Sequence, residues 1–401
     1  MVDLSDFERK RRHSSDHPSG WEPSLQWDGS KGTITTGPLA SEPDDAIWEQ
    51  LISDWGLDPS RTEVVDGSLQ IRAWDSMLNG ESVRMKYYRA TIKPRTNFAD
   101  HADIDALCKL AEKKIPSKTI PVDTPKGVFL VLASDWQLGK SEGGGSEATV
   151  ERIRSAFSSA VARYKQLRKE GKASVVYLIG LGDLVEGCAD FYAQQTFQAD
   201  LSDREQDRLA RRLILSAIDA FVDAGAERIV AMGVPGNHGE NRRGGKAFTD
   251  WLDNRDYAAF EAVSDIISVN PERYANVSIP LNALNADDLS MTLDLGGIPV
   301  GFIHGHQLRS GTNSQAKLEG WWKGQALGRT GVADAEILFS GHFHHFVVSE
   351  GTGRTVVQVP AMDGGSKWFT STSGSSSPAG MVTVLVGSGV GTRGWTDLLI
   401  V

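Results

Sequence analysis

The sequence predicts an α/β fold made of two packed sheets with helices on their outer faces. Between Gly127 and about residue 267, buried apolar runs alternate with stretches of helical periodicity, which is typical of parallel strands covered by helices. After residue 289 the apolar runs become short and closely spaced, with one helical stretch between them. This change of pattern predicts a second sheet packed on the first.

The main domain is expected to span residues 121–401, and its elements follow from apolar runs bounded by Gly, Pro and polar residues. The predicted strands are 127–133, 174–179, 228–232, 289–295, 298–303, 336–340, 343–349, 355–359, 381–386 and 398–401. The predicted helices are 146–169, 203–223, 246–267 and 314–327.

Two shorter regions precede the main domain. Residues 1–40 are rich in Ser, Gly, Asp and charge, so we expect a flexible tail. Residues 41–120 predict a small accessory α+β region. Its expected elements are a helix at 44–52 and strands at 69–74 and 83–92, followed by a linker at 109–121.

Two basic stretches in these regions leave alternatives open. The run Arg9–His13 is either a solvated segment or an arm that touches nucleic acid, and its short length favours the first. The strand at 83–92 mixes basic and aromatic residues, which either face solvent or stack on a single strand of nucleic acid. A solvent-facing sheet is the commoner case, so we favour it here as well.

Composition limits the class of protein. The chain has 401 residues and a formal net charge of −10, which argues against a surface that binds nucleic acid over its whole extent but allows a local basic groove. Cys108 and Cys188 are far apart in the sequence, and this favours a reducing compartment. No apolar run is long enough for a membrane span and the amino terminus lacks an apolar signal segment, so we expect a cytoplasmic protein.

Residues of the types that commonly bind metals follow the predicted strands of the main domain. Six of the nine histidines lie in three short clusters in the second half of the chain. Because the carboxyl ends of neighbouring parallel strands meet at one edge of a sheet, we expect these side chains to converge. The residues are Asp135, Gln137, Asp183, Asn237, His238, His304, His306, His342 and His344.

Carboxylate, amide and imidazole donors together are suited to two divalent cations that clamp a phosphate and activate a water. The two cations repel each other, so an anionic oxygen is expected between them, and Asp183 is the natural bridge. The donor set favours hard or borderline metals over copper. We expect Mn²⁺, with Fe, Zn²⁺ and Mg²⁺ as alternatives.

The order of these motifs resembles that of the calcineurin-like metallophosphoesterases and, less closely, their branch of double-strand-break repair exonucleases. The motifs are Asp135-x-Gln137, Gly182-Asp183, Gly236-Asn237-His238, His304-Gly305 and Gly341-His342-x-His344, within roughly residues 127–360. The resemblance implies a four-layer α/β/β/α sandwich that hydrolyses phosphoesters with two divalent metals. It implies a first metal site of Asp135, Gln137, Asp183 and His344, a second of Asp183, Asn237, His304 and His342, and catalytic roles for His238 and Asp183.

Two residues depart from the family's pattern. Gln137 stands where the family usually has His, and an amide oxygen binds less tightly than imidazole, so we expect a labile first site. Gly239 stands where an acid is common, which leaves the orientation of His238 in question. The neighbouring Glu240 is the candidate to replace that acid.

The substrate is less well defined by the sequence. Arg242, Arg243 and Lys246 directly follow the central motif and are suited to hold phosphate oxygens, and we expect His306 to contact substrate too. Lys140, beside the first motif, is interpreted in the same way.

Three functions stay open. The favoured one is a phosphodiesterase that acts as a DNA exonuclease or endonuclease. The second is a phosphatase or phosphodiesterase for a small molecule or phosphoprotein, and the third is a catalytically weak metal-binding subunit of a complex. A homodimer and a complex with a partner subunit both stay open.

Overall fold

Contacts divide the chain into two units, Met1–Asn97 and Phe98–Val401. The computed structural model describes residues 21–27, 31–39, 42–57, 59, 62–65, 67–78, 81–94, 104–115, 127–189, 191–192, 195–285, 289–308, 313–365, 371 and 377–401. The predicted basic run at Arg9–His13 lies outside these residues.

The amino-terminal unit is a five-stranded antiparallel sheet with one helix against it. Asp44 caps this helix by accepting a hydrogen bond from the Ile47 backbone N–H, and Trp48 and Ile52 pack against Ile34 of the sheet. The elements are β1 (Ser24–Trp27), β2 (Gly32–Thr35), α1 (Asp45–Asp54), β3 (Thr62–Val64), β4 (Gln70–Leu78) and β5 (Glu81–Pro94).

Strands β1 and β2 correct the expectation of a flexible tail up to residue 40. They form an antiparallel pair, and Thr33, Ile34 and Thr35 of β2 pair in turn with β5. Ile34 is fully buried beneath α1, and this burial stabilises a segment whose composition alone is typical of a tail.

The larger unit contains two six-stranded mixed sheets. Its strands are β6 (Gly127–Ala133), β7 (Ala173–Gly180), β8 (Arg228–Gly233), β9 (Arg242–Arg243), β10 (Lys246–Ala247), β11 (Val277–Ser278), β12 (Leu284–Asn285), β13 (Ser290–Asp294), β14 (Pro299–Ile303), β15 (Ile337–Ser340), β16 (Val347–Gly351), β17 (Arg354–Gln358), β18 (Val382–Val386) and β19 (Trp395–Ile400). Its helices are α2 (Ile104–Glu112), α3 (Gly145–Lys169), α4 (Gln195–Gln198), α5 (Asp203–Asp223), α6 (Arg255–Ser268) and α7 (Ser314–Gly328), with a 3₁₀ turn at Gly331–Asp334.

The first sheet has the order β11-β8-β7-β6-β18-β19, in which β6, β7, β8 and β11 run parallel. The second has the order β12-β13-β14-β15-β17-β16, with β14, β15 and β17 parallel. Each strand predicted in the main domain overlaps an observed strand, and the predicted α/β class is confirmed.

Alternating side chains on β6 show how the layers form. Leu130 and Leu132 belong to an apolar cluster shared with Phe302 and Phe339 of the second sheet. Phe129 and the other residues of opposite parity join a separate cluster with α3, α5 and α6. On the far side of the second sheet, Leu338 packs with residues of α7. The two sheets therefore face each other, and helices cover their outer faces.

Two predicted boundaries differ from the structure. The helix expected at 246–267 begins at Arg255, because Asn254 caps it by accepting from the Asp256 backbone N–H. The residues before it form the short hairpin β9–β10. The stretch expected as a linker from Lys109 is in part helix α2, which buries Leu107 in the core of the larger unit. Among the described residues, no helix is long and apolar enough to cross a membrane.

Candidate metal centre

The register of the strands brings the predicted ligands to one edge. Ala133, Gly180 and Gly233, the last residues of β6, β7 and β8, are aligned across the first sheet. Ile303 and Ser340, at the ends of β14 and β15, are aligned across the second. The loops that follow these five strands carry the predicted metal-binding motifs, so residues distant in the sequence are neighbours in space.

Contacts between the two sheets close this edge. The His304 ring nitrogen Nδ1 lies 2.6 Å from the carbonyl oxygen of Leu181. The backbone N–H of His342 donates to Asp135 Oδ2 over 2.9 Å. Loops of the second sheet are thereby fixed directly on loops of the first.

Asp183, His304 and His342 form the tightest group, with ligand atoms that all lie within 4.8 Å of one another. The His304 nitrogen Nε2 is 3.0 Å from Asp183 Oδ2 and 3.1 Å from Asn237 Oδ1. Nδ1 of the same ring faces a carbonyl and therefore carries a proton, so Nε2 is the atom that can hold either a second proton or a metal ion. Asp183 Oδ2 and Asn237 Oδ1 both face this nitrogen, an arrangement that suits a cation.

The pKa values of these three residues agree with a cation at this position. Burial lowers the pKa of His304, but the Asp183 carboxylate outweighs it and raises the pKa to about 9, so this spot favours positive charge. Burial likewise raises the pKa of Asp183, yet His304 and His238 hold it well below its usual range, so the carboxylate is ionised. Burial and His304 lower the pKa of His342 to about 4, which keeps that imidazole neutral and able to bind a metal.

A second group is formed by Asp135 and His344. Asp135 Oδ2 accepts from the Ser134 hydroxyl and the His342 backbone, whereas its buried Oδ1 accepts no hydrogen bond from any described residue. That oxygen lies 3.2 Å from His344 Nε2. Burial lowers the pKa of His344, but Asp135 outweighs it and raises the pKa to about 10. A metal ion between this oxygen and the imidazole nitrogen would take the place of the proton that His344 carries there.

Several of the predicted ligands share a strained backbone conformation with positive φ. Nine described residues other than glycine have positive φ, and five of them are predicted metal ligands. Such conformations cost on the order of 1–3 kcal/mol each and cluster at functional sites. The five are Asp135 (φ 49°), Gln137 (42°), Asp183 (54°), His342 (71°) and His344 (58°).

Two motif glycines are required by close approach. A Cβ atom at position 236 would lie 2.1 Å from Asp183 Oδ1, and one at position 341 would lie 2.0 Å from the Ser134 hydroxyl oxygen. Both distances are far below van der Waals contact. Gly236 and Gly341 therefore allow the strand-end loops to pack against Asp183 and Ser134.

His238 is oriented by a residue that the sequence analysis does not identify. Its Nδ1 lies 2.9 Å from the Glu186 carbonyl oxygen and 3.4 Å from Glu186 Oε2. Its backbone N–H donates to Asp183 Oδ1 over 2.7 Å, and the Phe191 ring packs 4.2 Å from the imidazole. The sequence signal that could identify Glu186 is its position in the loop after β7, three residues beyond Asp183.

Glu240, the expected replacement, has other partners. Its carboxylate pairs with Arg242 and lies 3.7 Å from His306 Nε2. The acid beside His238 is therefore Glu186 and not Glu240.

Asp256 is a second residue that the sequence analysis does not identify. Its buried carboxylate accepts three backbone hydrogen bonds of 2.8 Å, from Asp183, Leu184 and Gly236. Asp256 lies in the first turn of α6, so this helix holds together the loops that follow β7 and β8.

The predicted substrate contacts fall into two groups. Arg243 and Lys246 are exposed on the hairpin β9–β10. Arg242 is engaged by the protein: its guanidinium donates to the backbone of Asn237 and Gly245, pairs with Glu240 and stacks 4.6 Å from the Phe191 ring. His306 packs beside His304 with 5.4 Å between ring centroids, and burial lowers its pKa to about 3.

Comparisons with known proteins add the following. No family model and no curated protein matches the chain. Among solved structures, an archaeal phosphodiesterase is 12% identical, with coverage of 68% of this chain and 99% of its own and a TM-score of 0.31. A predicted phosphoesterase from Streptococcus pneumoniae is 13% identical, with coverage of 66% and 85% and a TM-score of 0.28. Vps29 from Entamoeba histolytica, in complex with Zn²⁺, is 11% identical, with coverage of 68% and 98% and a TM-score of 0.28. Because identity and TM-score are both low, the candidate metal centre rests on the residues of this chain alone.

Proposed function

We propose that the chain is a metal-dependent phosphoester hydrolase of the calcineurin-like metallophosphoesterase superfamily. One observation carries the proposal: ligand atoms of Asp183, His304 and His342 lie within 4.8 Å of one another, and His304 Nε2 faces both Asp183 Oδ2 and Asn237 Oδ1. Without a metal this position favours a proton on His304, and a divalent cation would take the place of that proton. The five ligand positions with positive φ support the same reading.

The residues that would hold the metals are those named from the sequence. Asp135, Gln137, Asp183 and His344 would form site 1, and Asp183, Asn237, His304 and His342 would form site 2. We favour Mn²⁺, with Fe, Zn²⁺ and Mg²⁺ as alternatives. When bound, a metal pair polarises the phosphorus centre and lowers the pKa of a water.

The chain's own groups supply binding, orientation and proton transfer. Asp183 stays ionised at the centre because His304 and His238 stabilise its charge. His238 is held by Glu186 through Nδ1, which leaves Nε2 as the atom that can pass a proton to a leaving oxygen. Arg243 and Lys246 lie on the exposed hairpin and are suited to hold a substrate phosphate.

For the substrate we propose a phosphodiester, with DNA as the favoured polymer. The exposed Arg243 and Lys246, in a hairpin that follows the His238 loop directly, support this choice. The net charge of −10 favours the alternative of a small-molecule or phosphoprotein phosphatase. A catalytically weak subunit of a larger complex remains the third candidate.

One experiment separates these functions. The protein is incubated with Mn²⁺ and, in parallel, with labelled single-stranded DNA, double-stranded DNA, bis-p-nitrophenyl phosphate and p-nitrophenyl phosphate. DNA and diester cleavage that is lost in Asp183→Asn, and with EDTA, supports the nuclease. Hydrolysis of the monoester alone supports the phosphatase, and absence of all hydrolysis with metal bound supports the interaction subunit. Asp265→Asn, on an exposed position of α6, is the matched control.

A further inference from the structure

Gln137 has its only metal-binding atom in contact with a cation of the protein. The Lys140 ammonium Nζ donates to Gln137 Oε1 over 2.9 Å. An ammonium group can only donate, so this contact fixes the amide with its oxygen toward Lys140. The amide nitrogen lies 3.3 Å from His238 Nε2. The Gln137 carbonyl oxygen that would bind a metal at site 1 therefore already accepts a hydrogen bond from Lys140.

Lys140 is part of a buried ion pair and not an exposed substrate contact. Its side chain is 12% exposed, and it pairs with Asp363, which is 2% exposed. The same Asp363 oxygen lies 3.5 Å from His344 Nδ1. The pair thus contacts the two ligands of site 1 that are not carboxylates, Gln137 through the lysine and His344 through Asp363. Asp363 also compensates for burying the ammonium charge.

Site 2 differs from site 1 in the spacing of its ligands and in the contacts made by its nearest cation. Its ligands Asp183, His304 and His342 already lie within 4.8 Å of one another, which is the only such group of His, Cys, Asp and Glu side chains found in the described part of the chain. Arg242 approaches this site only through the backbone carbonyl oxygen of Asn237, not through a ligand atom.

We propose that Lys140 makes the two metal sites unequal, so that site 2 fills first and site 1 binds its ion weakly. This inference rests on the proposed metal centre. A divalent ion bound to Gln137 Oε1 would lie roughly 5 Å or less from the ammonium, given ordinary metal–oxygen distances. Asp363 offsets part of the ammonium charge, and the repulsion that remains at that distance lowers affinity by about tenfold or more. Asp363 instead favours metal binding by His344, because its carboxylate contacts Nδ1 of that ring and orients Nε2 toward Asp135.

Manganese binding to the full-length protein tests the proposal without reference to activity. Isothermal titration with Mn²⁺ should show one tight ion and a second that binds more than about tenfold more weakly. Electron paramagnetic resonance should show an isolated Mn²⁺ signal at one equivalent and a spin-coupled pair only at high Mn²⁺. In Lys140→Gln, which keeps a hydrogen-bond donor and removes the charge, the gap between the two affinities should close by about tenfold.

Two variants serve as controls. Lys140→Arg keeps the charge and should keep the gap. Lys114→Met removes a lysine that is paired with Asp219 outside the centre, and it should leave both affinities unchanged. If Lys140→Gln does not fold, Lys140→Met carries the same test.

The outcomes separate this proposal from the function beneath it. Two ions of equal affinity in the unmodified protein, or an unchanged gap in a folded Lys140→Gln variant, overturn the role of Lys140 and leave the metal centre intact. Failure to bind any Mn²⁺, Zn²⁺, Fe²⁺ or Mg²⁺ overturns both.

Discussion

At the scale of single residues, the orientation of His238 depends on Glu186. The imidazole is held at Nδ1 by the Glu186 carbonyl oxygen and its carboxylate, and on its face by Phe191. Glu186 itself is 1% exposed and accepts a hydrogen bond from the Tyr192 hydroxyl. Since several contacts converge on one ring, the position of Nε2 is fixed before substrate binds.

We expect Glu186→Gln to lower kcat for bis-p-nitrophenyl phosphate by about 10–100-fold, because it removes the carboxylate charge 3.4 Å from His238 Nδ1 while the contact with the Glu186 backbone carbonyl stays. KM should change little, because His238 is proposed to act on the leaving oxygen and not on bound substrate in its ground state. Steady-state kinetics with Mn²⁺ measure both. Glu147→Gln, at an exposed position of α3, is the control, and an unchanged kcat in Glu186→Gln would contradict the proposed role.

The sequence was sufficient to predict that the candidate ligands lie together and insufficient for the residues that contact them. Asp135, Asp183 and Asn237 follow strands whose apolar runs are plain, so the sheet edge could be located from local pattern. Lys140 and Asp363 are 223 positions apart, and no periodicity links the two. Contacts of this kind depend on how the loops close, which a linear pattern does not encode.

At the scale of elements, helix α6 acts as a clamp through its first turn. Asp256 accepts backbone hydrogen bonds from the loops after β7 and β8, and Asn254 donates to the Gly236 carbonyl oxygen. The sequence predicts a helix here but starts it too early. The start depends on Asn254, whose side chain caps the helix by accepting a hydrogen bond from the Asp256 backbone N–H.

Asp256→Asn should destabilise the protein by about 3 kcal/mol, since an amide presents a donor to backbone N–H groups and leaves at least one of them without an acceptor. Urea unfolding followed by circular dichroism measures the change. Asp265→Asn, at an exposed position of the same helix, should stay within about 0.5 kcal/mol of the unmodified protein. Equal effects of the two substitutions would show that the clamp is not needed.

Helix α7 contains glycines that packing does not require. A Cβ atom at Gly320 or Gly324 would meet nothing within 4 Å. Each change to alanine should therefore stabilise the protein by about 0.5–1 kcal/mol, through reduced freedom of the unfolded chain and better helix propensity. Urea unfolding of the single variants and of the double variant checks this.

Gly236→Ala provides the contrasting case. Its added methyl group would collide with Asp183 Oδ1, and we expect loss of Mn²⁺ binding in isothermal titration. Retained binding would mean that the loop after β8 can move away from Asp183.

At the scale of the whole molecule, the candidate metal centre lies where the two sheets of the larger unit meet. The first sheet supplies Asp135, Asp183 and Asn237, and the second supplies His304, His342 and His344. The apolar layer between the sheets, which includes Leu132 and Phe339, fixes their separation. The precision of the site is thus a property of the larger unit's core.

That core makes the larger unit testable alone. Among the described residues, the three apolar clusters of the larger unit begin at Leu107, and the amino-terminal cluster ends at Ile92. We therefore expect residues 98–401 to unfold cooperatively, to bind Mn²⁺ and to hydrolyse bis-p-nitrophenyl phosphate with the kcat of the full chain. Thermal unfolding, titration and kinetics check the three points.

The same truncation examines the basic-aromatic strand β5. If the amino-terminal unit binds a nucleic-acid strand, its removal should raise KM for labelled DNA by about tenfold or more and weaken the dependence of cleavage on salt, because phosphate contacts release counterions. Hydrolysis of the small diester should stay the same. Loss of both activities would instead mean that the amino-terminal unit contributes to the metal centre, and loss of neither would assign it a role apart from the substrate.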